Sequence, residues 1–110
     1  MDNNKTVVEF KLKKRSFEEQ INYAKNQLKK FPYEYRTFLF FKHQFTEIKE
    51  GIERDFRSKT GRSYKSVFQD LTRGIHIDSK PLIAVIKQIN AVNVEIDYCR
   101  EQMNKFILGG

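Results

Sequence analysis

From position 82 onward, apolar side chains recur at alternating steps of three and four residues: Leu82, Val85, Ile89, Val92, Ile96, Cys99, Met103 and Phe106. On a helix these positions line up as one continuous seam. A seam of that length has to be shielded from water by another element of similar length. The C-terminal third is therefore restricted to a long helix inside a helical assembly.

A cover of matching length lies upstream. Phe38, Phe41, Phe45, Ile48, Ile52 and Phe56 follow the same spacing and predict a second long helix from about 33 to 57, which spans ~37 Å at the usual helical rise. Leu39 and Phe40 widen the apolar stripe of its first half, so that half is expected to be buried on more than one side. Glu50 with Arg54, and Glu53 with Arg57, stand four apart as favourable surface pairs. Gly51 weakens the middle of this helix by up to ~1 kcal/mol relative to Ala, for no reason visible in the sequence.

Two shorter helices and an arm complete the reading. Ser16 and Glu19 have the spacing of a capping box. Phe17, Ile21, Ala24, Leu28 and Phe31 then share one side of a helix that Pro32 stops, and Lys25, Lys29 and Lys30 suit its C-terminal dipole. After a polar break with Gly61, Ser63 caps a short helix whose inner face is Tyr64, Val67, Phe68 and Leu71, ending at Gly74. Ile75 and Ile77 return the chain to the core. Asp78, Ser79 and Pro81 open the seam helix, which runs to about Ile107.

Residues 6–12 alternate instead, with Val8, Phe10 and Leu12 on one face and Val7, Glu9 and Lys11 on the other, the period of a strand. A solitary strand must pair with a second copy, pair with a partner's strand, or lie extended over the helices. The expected fold is mainly α: a small helical bundle built on two long antiparallel helices plus two short ones, with an N-terminal extended β-strand arm. Residues 1–110 form a single domain, 1–15 being the basic arm and 16–110 the bundle.

Composition narrows the setting. Five Gly and two Pro leave few tight turns, and ten Phe argue against disorder. Lys and Arg outnumber Asp and Glu by 21 to 14, a net charge of +7. Such a field attracts nucleic acid, anionic lipid or an acidic protein surface. The longest uninterrupted apolar run, Phe38 to Phe41, is far shorter than the ~18 residues of a membrane span, and no apolar stretch of signal-peptide length opens the chain. A cytoplasmic protein with no membrane partner is expected. Its bias to Asn, Lys, Ile and Phe suits an AT-rich genome such as that of a phage, a mobile element or a bacterium. Cys99 is the sole cysteine and stands on the seam, so it reads as a buried small hydrophobe in a reducing compartment.

Motifs for chemistry are sparse. His43 and Glu47 stand four apart on a helix, but a zinc site needs at least three protein ligands. The carboxylates fall as helix-surface pairs, such as Glu101 with Lys105. No catalytic residue, metal site, cofactor or small-molecule substrate is expected.

The segment from Arg57 to Lys65 carries four positive charges and no acid. Arg57, Lys59, Arg62, Ser63, Tyr64 and Lys65, with Thr60, have two readings: a solvated basic turn, or an anion site in which a helix N-terminus helps to hold phosphate and Tyr64 stacks on a base. Lys11, Lys13, Lys14 and Arg15 form a second basic cluster, which enlarges the first only if the fold brings the two together.

Apolar residues left over from the seams point instead to a protein interface: Val8, Phe10 and Leu12 on the arm, Tyr33 and Tyr35 after Pro32, and Ile83, Ile86 and Val94 off the main seam. The leading expectation is a non-catalytic interaction protein, an adaptor, inhibitor or assembly subunit, that docks onto a larger protein or nucleoprotein partner or onto its own copy as a homodimer. The alternative is DNA or RNA binding through the basic loop 57–65 and the short helix from Ser63.

Overall fold

A computed structural model of the chain describes residues 15–109. They form four helices, α1 (Phe17–Lys30), α2 (Tyr35–Thr60), α3 (Tyr64–Thr72) and α4 (Lys80–Ile107), with no strand among the described residues. The all-α bundle expected from the two seams is present. The strand at 6–12 lies outside the described residues.

The core is the meeting of α2 and α4. Phe38, Phe41, Phe45, Ile48, Ile52 and Phe56 are all buried, and so is the α4 seam from Leu82 through Met103. Tyr33 and Phe38 meet Phe106 near the end of α4, so α2 and α4 run antiparallel. Phe17 lies against Gly51 while Phe31 packs on Phe40 and Phe41, so α1 also runs antiparallel to α2 and therefore parallel to α4. The short α3 closes the far end of the long pair, with Val67 as its buried anchor.

Local chemistry sets each boundary. Ser16 Oγ accepts from the Glu19 amide at 3.2 Å, which satisfies one orphan donor of α1. The side-chain amide of Gln20, rather than the Glu19 carboxylate, reaches back across the helix start, donating to the Arg15 carbonyl at 2.8 Å. Gly61 ends α2 at φ 76°, in the left-handed region where a Cβ is disfavoured, and its N–H donates to the Arg57 carbonyl at 2.7 Å. Ser63 Oγ then accepts from Ser66 N–H at 3.2 Å and starts α3. Ser79 gives no side-chain cap to α4. Asp78 serves instead, its Oδ1 accepting from the Lys80 amide at 3.1 Å, with Pro81 in the first turn.

Several expectations need correction. Phe106 leaves the buried seam and is partly exposed, because it meets only the first turn of α2, through Tyr35 and Phe38, together with Tyr33. Phe68 and Ile75 also face solvent, since α3 is only nine residues long and tethers to the core through Val67, with Tyr64 and Leu71 half-buried. Ile86, expected off the main seam, is half-buried and packs against the core. The pairs Glu50–Arg54, Glu53–Arg57 and Glu101–Lys105 do not close. Among the described residues the ion pairs within 4 Å are Lys59–Asp55 and Arg62–Asp70.

Candidate functional site

The basic loop spends much of its chemistry on its own architecture. Arg62 Nη2 lies 2.5 Å from an Asp70 carboxylate oxygen and 2.6 Å from Ser66 Oγ, so its guanidinium clamps the turn to α3. Thr60 Oγ1 donates to the Phe56 carbonyl at 2.8 Å and accepts from the Arg62 amide at 3.3 Å. Ser63 is the α3 cap, and Tyr64 is half-buried against the core. Lys59 pairs with Asp55 at 3.1 Å on an exposed surface. Arg57 and Lys65 remain as exposed cations without an ion pair among the described residues. The shallow cleft beside Arg57, ~320 Å³, is lined by Glu50, Glu53 and Arg54 as well, so its two arginines are matched by two carboxylates.

Arg15 lies against the same half of α2 as this loop. Its guanidinium sits 4.4 Å over the Tyr23 ring, and it shares a polar groove of ~780 Å³ with Arg54, Asp55 and Ser58. Lys11, Lys13, Lys14, Val8, Phe10 and Leu12 lie outside the described residues.

The opposite end of α2 is different in kind. Phe38 is buried, and aromatic rings gather around it: Tyr33 at 5.2 Å, Tyr98 at 6.0 Å and Phe106 at 6.2 Å between centroids. Tyr35 meets Phe106 edge-on, and Phe31 meets Phe41 edge-on at 5.1 Å. Edge-to-face pairs contribute ~0.5–1.5 kcal/mol each beyond burial. The Tyr33 hydroxyl donates to Oε1 of Gln102, which is buried, so the corner after Pro32 is fixed by both ring packing and a hydrogen bond. Phe31, Tyr33, Tyr35, Tyr98 and Phe106 nevertheless keep at least a third of their surface in solvent, as does Val94 beside them. The adjoining Ile107 and Leu108 are more exposed still.

A trough leads away from this corner. One cleft of ~430 Å³ has Leu28, Phe31, Tyr33, Phe38, Val94 and Tyr98 among its walls. A second, of ~460 Å³, continues it between Ile21 on α1 and Lys87 and Ala91 on α4. Lys25, Val94 and Glu95 line both. The two clefts form one depression because α1 and α4 each rest on α2 and meet each other only lightly.

Of the interface residues expected from the sequence, Tyr33, Tyr35 and Val94 come together here. Ile83 is exposed but lies eleven residues up α4 from Val94, a distance of ~16 Å along the axis. Phe31, Tyr98 and Phe106 were not anticipated as surface groups. A spacing signal for Tyr98 does exist, because Ala91, Val94 and Tyr98 form a second three-and-four stripe beside the main seam.

The other chemical groups are quiet. Cys99 is fully buried, and burial, reinforced by Glu95 one turn earlier, pushes its thiol up from 9.0 to about 11. Among the described residues no cluster of His, Cys, Asp or Glu has the arrangement of a metal site. No described helix is long and apolar enough to cross a membrane. Comparison with known proteins finds no family model, curated sequence or solved structure that matches this chain.

Proposed function

We propose that this chain is a non-catalytic interaction protein, an adaptor, inhibitor or assembly subunit, that docks through the aromatic corner at the start of α2 and the trough beside it. The observation that carries this reading is the concentration of exposed large apolar side chains there: Phe31, Tyr33, Tyr35, Val94, Tyr98 and Phe106. Scattered apolar residues are normal on a protein surface, whereas a contiguous set of rings held in fixed geometry is the composition of a binding hot spot. Rigid aromatic anchors lose little conformational entropy on binding, which favours a partner interface over a merely tolerated patch.

The test is affinity capture from lysate of the source cell, using wild-type protein and the Tyr98→Glu variant, with and without nuclease. Supporting results are a protein retained in stoichiometric amount by wild type, lost with Tyr98→Glu and indifferent to nuclease. Capture that vanishes with nuclease contradicts it.

The alternative, nucleic-acid binding through the loop 57–65 and the start of α3, rests on the exposed Arg57, Lys59 and Lys65. It has weaker support, since Arg62 and Ser63 already serve the turn and Tyr64 packs inward.

A further inference from the structure

The trough between α1 and α4 has a length, a floor and a charge, and together they specify an occupant. We propose that it receives an acidic amphipathic helix of a partner protein; this inference rests on the docking reading above and names the partner's chemistry.

The length comes from α1, which flanks the trough from Glu18 to Phe31, a span of ~20 Å at 1.5 Å per residue. That matches a segment of about four helical turns. The floor is apolar and stepped: Ile21 and Leu28 are buried at its base, and Val94, Tyr98 and Phe31 rise along its rims. Ala91 has no side chain beyond Cβ, which lets a second backbone approach closely at mid-length. A stepped apolar groove between two parallel helices is the receptor form for side chains at i, i+3 or i+4, and i+7.

Charge selects the sign of the partner. Lys25 and Lys29 stand on the α1 wall and Lys87 on the α4 wall, against Glu18 and Glu95. None of the three lysines has an ion pair within 4 Å among the described residues, so their ammonium groups are open to a partner's carboxylates. A second copy of this chain suits the trough less well, because a chain with 21 Lys and Arg against 14 Asp and Glu lacks the excess of carboxylates that would meet Lys25, Lys29 and Lys87. Nucleic acid suits it poorly as well: Glu95 sits at its centre facing any phosphate, and the walls hold no arginine.

The experiment is selection from a displayed library of random peptides about 16 residues long against the intact folded protein, followed by binding assays on the enriched peptides. The expected sequences carry apolar residues at helical spacing and net negative charge, and they shift the backbone amide resonances of Ala91, Val94 and Tyr98. Val94→Glu buries a carboxylate in the apolar contact and weakens them at least about tenfold. Lys25→Glu with Lys29→Glu does the same through charge, whereas Lys59→Glu at the far end changes affinity less than about twofold. Val94 is exposed, so its variant keeps the wild-type thermal midpoint, which separates lost binding from lost fold. Failure to enrich, enrichment without acidic bias, or binding indifferent to Val94→Glu overturns the proposal. So do a concentration-dependent dimer that Val94→Glu abolishes and an oligonucleotide that shifts the same three amides. If the enriched peptides instead perturb only Tyr35 and Leu108, the trough is the wrong surface while the docking reading stands.

Discussion

At the level of single residues, Gly51 shows how a local weakness is explained by a contact distant in sequence. A Cβ built there would stand 3.2 Å from Cε1 of Phe17, so the α1 ring occupies the space a side chain would need. Helix propensity alone gives Gly51→Ala a gain of up to ~1 kcal/mol. With Phe17 present the ring must yield to accept the methyl group, and part of that gain is lost. In a Phe17→Ala background the obstruction is absent, and Gly51→Ala is expected to recover the full propensity term. A denaturant double-mutant cycle measures the difference, and identical gains in both backgrounds would show that the ring is no constraint. Cys99 provides a second test at this scale. Its thiol is raised from 9.0 to about 11, so the folded state keeps a proton that the unfolded state has begun to release. The stabilising contribution is complete below pH 9 and is lost as pH rises toward 11. Denaturation midpoints of wild type should therefore fall more steeply across that window than those of Cys99→Ala, whose own cost is a constant offset. Parallel pH profiles would contradict the assignment.

At the level of elements, α4 presents two stripes of opposite consequence. Ile96 is on the buried seam and Val94, two positions away, is among the most exposed large apolar residues described. Ile96→Ala is expected to cost ~2–5 kcal/mol through lost burial and the cavity left behind, whereas Val94→Ala should change stability by less than ~0.5 kcal/mol. Thermal and denaturant unfolding distinguish these outcomes, and a large loss at Val94 would mean that the trough is a packed interior. The contrast also explains what could be read from the chain alone. The seams of α2 and α4 and the caps at Ser16 and Ser63 are properties of sequence neighbours, so spacing exposes them, whereas α2 runs on past the expected end at Arg57 to Thr60 before Gly61 stops it. The trough is a property of α1 lying parallel to α4 with only light contact, and no periodicity reports the separation of two helices. Phe106 illustrates the boundary between the two kinds of information. It has the right spacing for the seam, but burial there depends on where α2 begins, and Phe106 meets only its first turn.

For the whole molecule, the question is whether the charge of +7 is focused or diffuse. The basic loop and the aromatic corner lie at opposite ends of α2, a 26-residue helix of ~39 Å, well beyond the ~8 Å screening length at physiological salt. The two ends therefore act as electrically independent surfaces and can be tested separately. Arg57→Glu with Lys65→Glu alters the loop, and Lys25→Glu with Lys29→Glu alters the trough. Each replacement lowers the charge by two, so either double variant falls from +7 to +3. If the loop were a dedicated phosphate-binding site, its reversal would release the protein from a heparin column at distinctly lower salt than reversal at the trough. With Arg62 held by Asp70, Lys59 by Asp55, and Glu50 and Glu53 beside Arg57, the loop's field is locally compensated. Both variants are accordingly expected to elute together, below wild type, as a diffuse charge requires. Earlier elution of the loop variant alone would transfer the functional assignment to the loop and make nucleic acid the partner to pursue.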